Sequence, residues 1–291
     1  NYFLYAIFQG ALRTRCRWPS TVLMRNQLEE YCARGHRHVE GWLLKEAIEG
    51  ICDLAAMQRG QGIVGPVCEI GVHHGRLFVL LHLLSGPTER SLAVDLFEMQ
   101  GENLDGSGKG SRDRLLHNLR VHGCDLARVK LLAENSLRLT AERIVDLCGG
   151  RPRLFSIDGG HTAEATRNDL MLAHEVVCDG GLVILDDYFN MSWPAVSEGA
   201  CAFMLHDNSV LMPVAIGANK FFFSKGEEAA AGYRRRLSET RPGTKMSTVF
   251  GRDVVCFKSP TLRQRVTAHP RWLKMRDTQV GQALRRLKRV I

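Results

Sequence analysis

Apolar residues at Leu43, Leu44, Ala47, Ile48, Ile51 and Leu54 recur at helical spacing, and Gln27–Cys32 reads as a shorter helix before them. The period then changes. A short apolar run, Val67, Cys68 and Ile70 around Glu69, runs into the glycine turn Gly71-Val72-His73-His74-Gly75. Leu77, Phe78, Leu80, Leu81, Leu83 and Leu84 follow as a helical stretch. Strand, glycine turn and helix in that order are the opening unit of a doubly wound α/β domain. The alternation continues through strands at 91–97, 129–133, 154–157 and 182–185, with helices over 112–122 and from 161 through 173. Residues 220–224 and 253–258 are rich in strand formers with no long crossover helix between them, which predicts a hairpin-like final pair. The expected fold is α/β, a doubly wound, mostly parallel seven-stranded sheet with an antiparallel last strand. Three segments are expected: a helical cap over 1–64, the α/β domain over 65–258 with an insertion at about 226–248, and a tail over 259–291.

Composition changes this picture at the ends. The chain of 291 residues is 45% hydrophobic and 24% charged, as an ordinary globular protein is. Its net charge of +8 is uneven, since residues 226–291 hold 16 lysines and arginines against 5 acidic residues. Val280, Leu284, Leu287 and Ile291 make an apolar stripe beside Arg285, Arg286, Lys288 and Arg289. Residues 271–291 are thus expected to meet an anionic membrane surface or a second copy of the chain. The apolar start, Tyr2 to Leu12, is too short to span a bilayer. The first residue is not Met, so residue 1 is read as lying inside a longer encoded chain. Nine cysteines without a C-x-x-C pair read as reduced core thiols of a cytoplasmic protein. The acidic balance outside the tail speaks against nucleic acid as a partner.

The chemistry gathers at strand ends, where open α/β sheets bind ligands. Glu69 would repel a pyrophosphate and hold a cationic amino acid or a sulfonium, and E-x-G-x-x-x-G departs from the dinucleotide pattern G-x-G-x-x-G. Gly71 and Gly75 let the backbone approach a ligand. Asp95 suits ribose hydroxyls, and Glu134-Asn135-Ser136 closes the third strand. The stretch 101–111 fails the phosphate-loop pattern because Gly110 follows Lys109, and reads as a mobile loop or lid. Asp158, Asp186 and Asp187 should converge, because their strands are neighbours. Such a trio calls for a divalent cation, a raised pKa or outward-facing side chains. The cation is preferred.

EIGVHHG resembles the first motif of class I S-adenosylmethionine-dependent methyltransferases. The stretch 155–196 is similar to metal-dependent O-methyltransferases of the macrocin and mycinamicin type, which act on sugar hydroxyls, and more distantly to catechol O-methyltransferases. The resemblance covers roughly residues 38–258. It implies S-adenosylmethionine as cofactor, held by Glu69, Gly71, Gly75, Asp95, Asn135, Ser136 and Asp158. It also implies a divalent cation, magnesium, on Asp158, Asp186 and Asp187, with Asp158 and His161 as catalytic residues and His161 as the base. The implied acceptor is a sugar or another polyhydroxylated small molecule. A catechol-like diol, and a non-catalytic cofactor-binding protein tethered through its tail, are the alternatives.

Overall fold

The computed structural model describes residues 22–207, 209–241 and 243–257. The apolar start and the basic tail, with the expectations attached to them, lie outside the described residues. Two helices come first, α1 (Val22–Ala33) and α2 (Lys45–Gly60). Five parallel strands follow: β1 (Val67–Ile70), β2 (Ser91–Asp95), β3 (Val129–Ala133), β4 (Leu154–Ile157) and β5 (Leu182–Leu185). Between and after them run α3 (Arg76–Leu84), α4 (Arg112–Val121), α5 (Ala141–Cys148), α6 (Ala163–Val176) and α7 (Pro194–His206). β6 (Leu211–Gly217), β7 (Lys220–Lys225), α8 (Glu227–Thr240), β8 (Lys245–Val249) and β9 (Arg252–Cys256) complete the described chain.

One sheet takes all nine strands in the order β3-β2-β1-β4-β5-β7-β6-β9-β8. The α/β class, the mostly parallel sheet and the antiparallel entry near its end agree with the sequence reading. β7 inserts antiparallel against β5. The strand count does not agree, being nine among the described residues and not seven, and the strands at 220 and 253 are not a pair, because β6 lies between them. Both missed strands have a physical excuse. β6 carries Pro213, which usually argues against an inner strand, and the register shifts between Pro213 and Ala215 to accommodate it. β8 is polar and almost wholly exposed, so it offers no apolar alternation to read.

Side chains alternate across the sheet and make two cores. Val67, Ala93, Leu154 and Ile184 face α2, α3 and α8, while Cys68, Leu92, Val94, Phe155 and Val183 face α5, α6 and α7. α3 is apolar nearly all round because it is covered on every side: only its first residue, Arg76, escapes full burial. α1 packs over it, and Tyr31 donates its hydroxyl to the Arg76 carbonyl at 2.6 Å. This burial leaves the carboxyl ends of β1, β2, β4 and β5 as the open rim of the sheet, on either side of the switch point between β1 and β4.

Candidate active site

A cleft of about 810 Å³ opens over that rim. Its first half is built by β1, β2 and the turn after β3. Gly71 sits at φ +83° where a Cβ would overlap the Asp158 carbonyl, so only glycine lets the turn pass beneath the end of β4. Asp95 accepts hydrogen bonds from the His73 N–H at 2.8 Å and the Phe97 N–H at 2.7 Å, which ties the glycine turn to β2. Burial nevertheless leaves its carboxyl raised. Asn135 accepts from the Leu137 N–H and Ser136 is buried beside it; both line the cleft. Trp42, 79% exposed, stands at the mouth above Gly41.

The second half is acidic and belongs to β4, β5 and β7. Asp158 ends β4, and burial with the Asp186 carboxylate pushes its carboxyl well up against the pull of Lys220. His161 lies between two carboxylates: Nδ1 is 2.8 Å from Asp105 and Nε2 is 3.2 Å from Asp187. Its ring stacks on Trp193 with centroids 4.2 Å apart. Burial disfavours the imidazolium, but the hydrogen bonds to Asp187 and Asp105 outweigh it and the pKa is raised. Burial alone would raise Asp105 too, yet the Ser107 hydroxyl and the backbone and ring of His161 hold it down to about 2. Asp187 has φ +59°, which turns its side chain away from that of Asp186. Asn190 and Asn219 both donate to Asp187 Oδ1, while Asp186 pairs with the buried ammonium of Lys220.

The sequence of residues 68–188 matches the family model of a methyltransferase domain. Among solved structures, the O-methyltransferase NovP aligns with a TM-score of 0.55 at 15% identity, over 72% of this chain and 100% of that one. The O-methyltransferase TomG from Streptomyces achromogenes, solved with S-adenosylmethionine, aligns at 0.48 and 16% identity over 69% of this chain and 90% of its own. CalS11, a TDP-rhamnose 3'-O-methyltransferase, aligns at 0.49 and 16% identity over 77% and 94%. No curated protein sequence matches the chain. None of the described helices is long and apolar enough to cross a membrane.

Most of the expected residues meet: Gly71, Asp95, Asn135, Ser136, Asp158, His161, Asp186 and Asp187 all line one cleft. Two do not. Glu69 is 1% exposed and lies beneath the cleft floor, where burial drives its carboxyl well up and Lys220 opposes that rise. Gly75 starts α3 at φ +89° and lies against Leu115, so it shapes the turn from behind. Tyr188 is also buried, against Phe221, while Trp193 reaches the cleft. The expected metal trio changes as well. The donors that converge are Asp158, His161 and Asp187, with ligand atoms within 4.8 Å of one another; Asp186 is taken by Lys220. Two carboxylates with an adjacent imidazole suit a hard divalent cation with room for water or substrate oxygen. Sequence reasoning missed Asp105, which lay inside the glycine-rich stretch, and Lys220, hidden in an apolar strand.

Proposed function

We propose that the protein transfers the methyl group of S-adenosylmethionine to a hydroxyl of a sugar or another polyhydroxylated small molecule, with magnesium at Asp158 and Asp187. The observation that carries this reading is the Asp105–His161–Asp187 chain beside Asp158 in the cleft. Asp105 Oδ2 also accepts from the His161 backbone N–H at 2.7 Å, so loop and helix start are joined at two points. In the imidazolium both nitrogens donate, Nδ1 to Asp105 and Nε2 to Asp187; once Asp187 is engaged by the cation, a neutral His161 keeps its proton on Nδ1 and its Nε2 lone pair is toward the acidic half of the cleft. There it can take a proton from the acceptor hydroxyl as that oxygen attacks the sulfonium methyl; S-adenosylhomocysteine is the other product. A divalent cation, when bound, supplies Lewis acidity that lowers the pKa of the acceptor hydroxyl. Gly71, Asp95, Asn135 and Ser136 hold the cofactor on the other side of the β1–β4 switch, and alignment of the two reactants is the remaining work. Sharing its fold, NovP is itself named an O-methyltransferase, which accords with an oxygen acceptor here.

The test is turnover with labelled methyl donor against a panel of sugar and catechol acceptors, with and without chelator. A sugar acceptor, loss of turnover in chelator and its return with magnesium are expected. Turnover of catechols alone would transfer the reading to aromatic diols, and no turnover of any acceptor would favour a cofactor-binding protein without catalysis. His161→Ala should lower kcat about 10²-fold or more, the scale of a lost general base. Magnesium affinity should stay unchanged in that variant; a matching loss of affinity would make His161 a ligand and move the base elsewhere.

A further inference from the structure

The glycine turn carries a feature that cofactor binding does not account for. His73 stands at φ +51°, a left-handed conformation that costs an ordinary residue energy and is usually left to glycine or asparagine. Its ring stacks on His74 with centroids 3.8 Å apart. His74 is 4% exposed, and its Nε2 lies 3.2 Å from the Lys109 carbonyl. A carbonyl only accepts, so Nε2 carries the hydrogen and the Nδ1 of a neutral ring is a bare lone pair. That lone pair points at another acceptor, Glu40 Oε2, 3.3 Å away. The buried Nδ1 atoms of both His73 and His74 lack a hydrogen-bond partner.

We infer that Glu40, His73 and His74 form a second cation-binding site, selective for an imidazole-preferring metal of the zinc class. One ligand atom from each lies within 4.8 Å of the other two. Tetrahedral bonds of about 2.0–2.1 Å put neighbouring ligand atoms about 3.4 Å apart, close to the 3.3 Å between His74 and Glu40. Two nitrogens and one carboxylate form a softer set than Asp158 with Asp187, so the two sites sort metals by hardness. Arg114 already holds Glu40 at 2.6 Å, but that pair is exposed, with side chains 63% and 64% accessible, and such pairs are weak enough to yield to a metal. The consequence is mechanical. Glu40 precedes Gly41 and Trp42 at the cleft mouth, whereas His73 belongs to the cofactor turn, so a bound metal would clamp the cap segment to the turn.

Zinc titration of the whole protein, with magnesium held saturating, tests the inference without any acceptor. His73→Asn is the informative variant, because asparagine tolerates positive φ and lacks the imidazole. One tight zinc site is expected in the wild type, weakened tenfold or more in His73→Asn and in Glu40→Gln, and unchanged in Asp187→Asn. Zinc should also raise the melting temperature of the wild type and not of His73→Asn. Zinc binding that survives His73→Asn, or that Asp187→Asn removes instead, would overturn the second site while leaving the proposed reaction untouched.

Discussion

At the scale of single residues, a positioned pair and a buried acid give the sharpest expectations. Asp105 fixes the tautomer of His161 and raises its pKa. Asp105→Asn should lower kcat about 10-fold to 100-fold, the range seen when the partner of a working imidazole is lost. The acid limb of the pH–rate profile should also move to lower pH, because the base of the variant is easier to deprotonate. A profile that does not move would make Asp105 a loop tether only. Asp169, 1% exposed, is different in kind: burial raises its pKa to about 7 despite hydrogen bonds from Ser136 and Asn168. A raised carboxyl binds its proton more tightly in the folded chain, so its contribution is complete below about pH 4 and is lost as pH rises to about 7. Stability should therefore fall over that window by up to about 1.4 kcal/mol per pH unit. Urea melts of Asp169→Asn should show a flatter dependence and, at pH 8, a more stable protein. Equal slopes for the two proteins would remove Asp169 from the account.

At the scale of elements, β7 delivers a cation into a nest of acids. Lys220 is 2% exposed and sits among Asp186, Asp158 and Glu69, whose carboxylates keep its pKa raised although burial opposes the charge. Removing one partner of a buried set leaves the other charges uncompensated. Lys220→Met should destabilise the fold by about 3–5 kcal/mol, measurable by denaturant unfolding. A loss below 1 kcal/mol would mean the acids are already neutral. The turn from β1 to α3 is equally unforgiving. Gly71→Ala should shift the melting temperature down strongly, since the new Cβ meets the backbone of β4. A bulkier residue there would report on folding as much as on cofactor binding.

At the scale of the whole molecule, the strand order divides the work. β1 and β2 face the half proposed for the cofactor, and β4, β5 and β7 face the acidic half. Variants on the two sides should therefore separate. Asp95→Ala should weaken S-adenosylmethionine binding and spare magnesium, while Asp187→Asn should do the reverse, as calorimetry of each ligand would show. A variant that lost both ligands together would signal a collapsed rim and not two halves.

Much of this was legible in the chain. Val67 to Leu84 declared a strand, a glycine turn and a helix because local apolar period and backbone freedom are properties of neighbouring residues. The acids at 69, 95, 158, 186 and 187 could be placed at strand ends for the same reason. Other features depended on what folding brings together. β6 hid behind Pro213 and β8 behind its polar surface, since each is stabilised by strand partners and not by its own pattern. Asp186 and Asp187 are adjacent in sequence, and only the positive φ of Asp187 and the arrival of Lys220 from an antiparallel strand sent them to different partners. Asp105 met His161 across 56 positions of chain, and Glu40 met His74 across 34. The sequence by itself determined the fold class and which strand ends carry acidic residues, because those follow from short-range pattern. The tertiary structure decided which donors share a point in space, because that depends on side-chain direction and on contacts between distant segments.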